Sequence, residues 1–231
     1  MMSRLDCASL VRFAQQIWQI NRLIALTGIS LLLLGKPAFA HHAMGGRFPS
    51  NAFEGFMSGL AHPIIGFDHF AFVVAIGLLF ATQRQGFLIP LAFVLAAMGG
   101  TGIHLMGVTL PGVELLIAGS VLLFGLLLVQ KDRVNIAVVV GLAAIAGVCH
   151  GYAYGESIVG AEVTPLVAYL TGFTAIQLAI AMGAFGVGRA ILSGTFQSLS
   201  VTTLRSTGWL ICGIGLAFLA SQITSALSPV T

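Results

Sequence analysis

Of 231 residues, 58% are hydrophobic and only 7% are charged, whereas soluble domains carry roughly 25% charged residues. This composition excludes an ordinary soluble fold and identifies an integral membrane protein in contact with the lipid bilayer. The apolar residues form continuous blocks of about 20, long enough to span as helices; barrel strands would alternate, so the class is all-α. The formal charge of +3 comes from the first 40 residues, where Arg4, Arg12, Arg22 and Lys36 lie. The remainder is balanced, which excludes nucleic acid as a partner. Cys7, Cys149 and Cys212 are too scattered for a disulfide framework or a CxxC metal site.

Residues 1–40 read as an export signal. Arg4, Arg12 and Arg22 precede an apolar stretch from Leu23 to Leu34, and Ala38-Phe39-Ala40 is a small-residue cleavage site. The mature chain, 41–231, then begins with His41-His42. An uncleaved first transmembrane helix is the alternative, but 12 apolar residues are short for a span. A bacterial inner membrane, with the mature N-terminus in the periplasm, follows.

Six further spans complete the expected six-transmembrane-helix bundle: Phe53 to Ala81, Phe87 to Met106, Val113 to Val129, Val134 to Tyr154, Pro165 to Val187 and Leu204 to Ala226. Short connections make neighbouring helices antiparallel and return the C-terminus to the periplasmic side. With the N-terminus outside, Arg84, Lys131, Arg133, Arg189 and Arg205 fall on the cytoplasmic side and only Arg47 outside. That asymmetry obeys the positive-inside rule, a criterion independent of hydropathy.

The first span is too long for one straight crossing and contains His62-Pro63 and Gly66. Proline removes a backbone donor and pushes the preceding residue from helical angles, so a break is expected near His62. Around it runs His62-Pro-Ile-Ile-Gly-Phe-Asp68-His69. Seven residues apart, the two imidazoles return to within about 20° of one another on an unbroken helix. Asp68 then points away, to complete the site when the helix breaks or to orient a ligand. Intramembrane carboxylates cost roughly 2.5–3.5 kcal/mol on the insertion scale and usually serve a pathway or an ion; an Asp68–His69 pair tying two helices together is the plainer alternative. His150-Gly-Tyr-Ala-Tyr-Gly-Glu156 ends the fourth span, and His104 and Glu114 flank the second external connection. Taken singly, His104 is equally read as a packing residue and Glu114 as a favourable helix N-terminal acid.

Depth joins these residues. In the orientation set by the loop cations, His62, Asp68, His69, His104, Glu114, His150 and Glu156 all fall in the external half, so one convergent external site is expected. Mixed imidazole and carboxylate donors suit a borderline divalent transition ion; Mg²⁺ and Ca²⁺ favour oxygen alone, and Cu(I) favours sulfur. Nickel, cobalt, zinc and ferrous iron remain. His41 and His42 add imidazoles on the same side as candidate ligands that capture metal in transit. Gly55 and Gly59, and the stripe Gly147, Gly151 and Gly155, are expected to let helices approach closely and to bring His62 and His150 together if the first and fourth spans touch.

The pattern HPxxGxDH at His62 to His69, with HGxAxGxE at His150 to Glu156, resembles the HupE/UreJ family of nickel and cobalt permeases, and the likeness extends over essentially the whole chain. The resemblance implies secondary uptake of Ni²⁺ or Co²⁺ as transported substrate, with no organic cofactor, for hydrogenase or urease assembly or cobalamin synthesis. By motif it assigns His62, Asp68, His69, His150 and Glu156 as metal residues; His104 and Glu114 rest on depth. Cys149 stands where the family pattern leads one to expect an aromatic residue. No nucleotide-binding motif is visible, so the membrane potential is the expected driving force. Thr171, Thr174 and Gln177 are candidates for a weaker inner foothold, though their spacing of three equally suits interhelical hydrogen bonding. Competing readings are a metal-binding accessory or sensor protein without transport, a haem protein with facing histidines, and a metalloenzyme. The last is disfavoured by the absence of an HExxH helix or a di-iron spacing.

Overall fold

The computed structural model describes residues 47–130, 134–193 and 197–227, with side chains for all of these except 197–201. The expected signal segment and His41-His42 lie outside the described residues. Seven α-helices and no strand occur among the described residues: α1 Ala52–Ile65, α2 Phe67–Thr82, α3 Leu88–Leu105, α4 Val113–Val129, α5 Ile136–Glu156, α6 Val163–Leu192 and α7 Gln197–Leu227.

Helices α3, α5, α6 and residues Thr202–Leu227 of α7 are each long and apolar enough to cross a membrane. Helices α1 and α2 qualify together, across a bend of 80°, and α4 is apolar but 17 residues long. The protein is therefore a multi-pass membrane protein. The expected bounds hold to within a few residues, save that α6 and α7 reach 30 and 31 residues. Hydropathy marks only the oily part of a helix, and α6 continues past it through Arg189 to Leu192.

Side-chain oxygens start two helices. Asn51 accepts the Glu54 N–H at 2.9 Å, and the Glu54 carboxylate accepts from the Ser50 N–H and hydroxyl, also at 2.9 Å. This reciprocal cap satisfies donors that the first turn of α1 leaves open. Asn135 caps α5 by accepting the Ala137 N–H at 2.8 Å.

The break expected near His62 is present and falls at Gly66. Helix α1 runs through Pro63, and the Gly66 N–H still closes on the His62 carbonyl at 3.0 Å before Gly66 turns extended (φ −73°, ψ 97°). The Phe70 N–H then bonds to the Gly66 carbonyl at 2.8 Å, so α2 begins within the same turn. Proline tolerates helical φ and costs only one bond, whereas the bend needs a residue without a side chain. A Cβ on Gly66 would stand 2.5 Å from Cδ2 of His69, whose ring folds back over the glycine.

Helix α3 packs most extensively on α5, α1 and α2 on α6, and α4 on α7. The glycine stripes serve these pairs, not the approach of the first and fourth spans. Gly55 and Gly59 abut the α6 backbone at Pro165 and Tyr169, while Gly147 and Gly151 abut the α3 backbone at Phe93 and Ala97. Thr101 staples the α3–α5 contact, donating to the Gly151 carbonyl at 2.7 Å. Exchanging α1–α2, α3 and α4 for α5, α6 and α7 maps the α3–α5 contact onto that of α6 with α1–α2. The same exchange maps α4–α5 onto α7–α2. The correspondence is partial, since the α2–α4 contact has no comparable α5–α7 counterpart among the described residues.

Gly151→Ala drives a Cβ into the Ala97 backbone, whereas the same change at Gly99 meets nothing within 4 Å. The first is expected to cost about 1–3 kcal/mol and the second nothing. Thermal unfolding of the two variants in detergent, side by side, measures the difference.

Candidate functional site: a buried histidine cluster at the helix break

The bend at Gly66 points two imidazoles from one span into the bundle. His62, near the end of α1, and His69, in the first turn of α2, are 3% and 2% exposed, and their ring centroids lie 5.7 Å apart. They meet through the 80° bend and not, as the heptad spacing suggested, on one face of a continuous helix. From α5, His150 is fully buried, and its Nδ1 stands 2.8 Å from Nδ1 of His69. Such a contact holds one proton between the two rings, donated by one and accepted by the other. The far nitrogen of His150, Nε2, pairs with the Ser120 hydroxyl of α4 at 3.0 Å. Nδ1 of His62 faces the hydroxyls of Ser157 at 2.9 Å and Tyr169 at 3.2 Å. The Tyr169 hydroxyl donates to the Tyr154 carbonyl at 2.9 Å, which leaves its lone pairs toward His62.

Aromatic rings wall the cluster. Tyr154 contacts His62 and His69 at centroid distances of 5.0 and 4.7 Å, and Phe72 lies 4.5 Å from His150. The pocket thus offers imidazole nitrogens and hydroxyls inside an apolar shell, where electrostatic contacts are stronger than in water. Asp68, 2% exposed, sits behind His69 and accepts its backbone N–H at 2.8 Å. Its carboxyl group lies in the first turn of α2, the end of a helix whose dipole favours negative charge.

The remaining expected residues do not join the imidazoles directly. Half-buried Glu114 lies within the electrostatic reach of both Asp68 and Glu156, and Glu156 is exposed at the end of α5. His104 packs edge-on against Tyr152 at 4.4 Å and against Gly155, apart from the trio. Tyr152 in turn donates to the Val108 carbonyl and accepts from the Leu110 N–H, closing the α3–α4 connection. Among the described residues, no three His, Cys, Asp or Glu side chains converge in an arrangement ready to hold a metal ion. The expected single convergent site is therefore a histidine trio backed by Asp68, with Glu114 and Glu156 outside it and His104 to one side. Buried imidazoles take the nearest hydrogen-bond partners, and here those are each other and three hydroxyls.

The HupE / UreJ protein family model matches residues 29–218, a range that includes every residue of the histidine cluster. The chain belongs to the HupE/UreJ family. A curated relative, Protein HupE of Rhizobium leguminosarum bv. viciae, is 28% identical over 192 residues, covering 82% of this chain and 95% of the relative. No solved structure matches the chain.

Within this HupE/UreJ chain, motif reasoning missed the hydroxyl partners of the histidines, Ser120, Ser157 and Tyr169, and the wall residue Tyr154. A signal was present in composition. The chain has only 3 tyrosines; Tyr154 and Tyr169 border the cluster histidines, and Tyr152 borders His104. Ser120 has no such signal, since a serine within an apolar helix commonly bonds its own backbone, as this one does to the Ile117 carbonyl.

Gly66→Ala displaces the His69 ring and with it the shared proton. The ¹⁵N resonances of the histidine Nδ1 atoms are expected to move, and the hydrogen-bond coupling between His69 and His150 to vanish, in selectively labelled protein.

Proposed function

We propose that the protein is a secondary transporter that takes up Ni²⁺ or Co²⁺ across the bacterial inner membrane through the His62, His69 and His150 cluster. Family membership supports the reading, and one geometric observation carries it. Two imidazoles bound cis to one metal at about 2.1 Å place their ring centroids about 4.5–5.2 Å apart. The His69–His150 and His62–His69 separations are 4.9 and 5.7 Å. The His69–His150 pair already lies at that separation, and His62 must draw in by about 0.5 Å or more to join it as a ligand. The metal replaces the proton that His69 and His150 share, and Asp68 balances its charge.

The fold reading that accompanies this proposal has six crossings, with α1–α2 as one broken span and α4 as another. Both termini of the mature 41–231 domain face the periplasm after removal of residues 1–40. The loop cations support that orientation. His62, His69 and His150 then lie in the outer half, and Glu114 and Glu156 line the entry where the ion sheds water. His104 stands beside that entry, and His41 and His42 capture metal ahead of it. Inward movement of a dication down a potential of 100 mV gains about 4.6 kcal/mol, twice the value for one charge, so no catalytic step and no organic cofactor is needed. The metal delivered inside serves hydrogenase or urease assembly or cobalamin synthesis.

Uptake of radioactive Ni²⁺ or Co²⁺ into proteoliposomes under an imposed inside-negative potential tests the reading, with Zn²⁺ and Mn²⁺ as competitors. His62→Ala and Asp68→Ala are expected to abolish accumulation at unchanged protein level. Wild-type protein that binds metal but moves none belongs to the accessory or sensor class instead.

A further inference from the structure

Six buried side-chain polar atoms have no hydrogen-bond partner among the described residues, and four of them belong to Tyr154, Thr174 and Gln177. Gln177 is fully buried, yet both its amide oxygen and its amide nitrogen lack partners. The Thr174 hydroxyl, one turn earlier on the same helix, is likewise unpaired, although a threonine on a helix can bond its own backbone, as Thr171 does to the Val167 carbonyl at 2.8 Å. An orphaned amide is expensive at membrane depth, because no solvent reaches it. In native proteins such groups mark an absent water, an ion or a functional role.

Their place in the fold narrows the choice. Helix α6 runs alongside both halves of the broken span. Gly59 of α1 meets it at Tyr169 and Phe173, and Gly77 of α2 meets it at Ala181 and Ala184. Gln177 stands midway between these two contacts, at the level where the break turns α1 into α2. It lies two turns beyond Tyr169, about 12 Å along the helix axis, and Tyr169 is a residue that holds His62. The Tyr154 ring bridges the interval, touching His62 and His69 on one side and Phe173 on the other, with its own hydroxyl unpaired. Unpaired polar atoms thus continue from the histidine cluster along the α6 side of the break.

We propose that Gln177 and Thr174 form a second foothold for the transported dication, beside the histidines on the α6 side of the break. This inference rests on the transport reading above. Neutral amide and hydroxyl oxygens are harder and weaker donors to a borderline transition ion than imidazole. They hold an ion that has regained part of its water shell, and the amide N–H group donates to none but water or protein. A strong imidazole site followed by a weak oxygen site meets the requirement that a permeating ion bind well enough to enter and loosely enough to leave.

The test uses full-length protein and three readouts: Co²⁺ binding by ligand-field absorption in detergent, Co²⁺ entry into proteoliposomes under an imposed potential, and the metal-free melting temperature. Gln177→Leu and Thr174→Val are expected to leave the Co²⁺ spectrum and affinity unchanged and to slow entry about tenfold, the loss of one oxygen contact to a charged group. The melting temperature is expected to rise, since each change removes an unpaired buried group. Should Gln177→Leu fail to fold, Thr174→Val carries the same comparison. Entry at the wild-type rate in a folded variant overturns the proposal, as does a fall in melting temperature that accompanies the loss of flux, which marks a structural role. Wild-type protein that binds Co²⁺ but admits none overturns the transport reading itself, an outcome distinct from failure of the variants alone.

Discussion

A helix that stops partway across a bilayer leaves backbone donors and acceptors where no water can reach them. The break between α1 and α2 therefore exists only because protein surrounds it. Helix α6, 30 residues long, backs both halves of the broken span, and α4 and α5 bring Ser120 and His150 to its inner side. The rest of the site depends on this arrangement. With α1 and α2 continuous, His62 and His69 would lie two turns apart along one axis, about 10 Å from each other. The bend brings their rings to 5.7 Å.

The cluster that results is a hydrogen-bonded assembly before it is anything else. Each imidazole pairs with another imidazole or with a hydroxyl, and the rings of Tyr154 and Phe72 exclude solvent. Under the proposed transport function such a network suits reversible metal binding, because the imidazoles are already paired and desolvated without an ion, and an ion would exchange hydrogen bonds for coordinate bonds. The cost of assembling the cluster is met by the fold, through the glycine-lined contacts of α3 with α5 and of α6 with α1.

Much of this was legible in the sequence because membrane insertion imposes few rules and strict ones. Apolar block length located the helices, and Val113–Val129 coincides with its expected bounds. The scarcity of ionisable residues in those blocks pointed to His62, Asp68, His69 and His150, since such groups are expensive in hydrocarbon and seldom idle. What stayed hidden depends on helix azimuth and on neighbours. Proline drew attention to position 63, but the turn occurs at Gly66, where only the folded position of the His69 ring explains the need for glycine. Gly147, Gly151 and Gly155 read as a packing stripe, and so they are, but their partner is α3 and not α1.

The sequence by itself determined that this chain is a multi-pass helical membrane protein of the HupE/UreJ kind and which histidines and acids stand out in it. Those conclusions follow from transfer free energies and from motif spacing, which are properties of residues in order along a chain. Only the tertiary structure decided that His69 and His150 share a proton, that Ser120, Ser157 and Tyr169 complete the set, and that His104 stands apart with Tyr152. Contacts between distant segments depend on how each helix is rotated about its axis. That rotation is settled by packing of whole surfaces, and no local pattern encodes it.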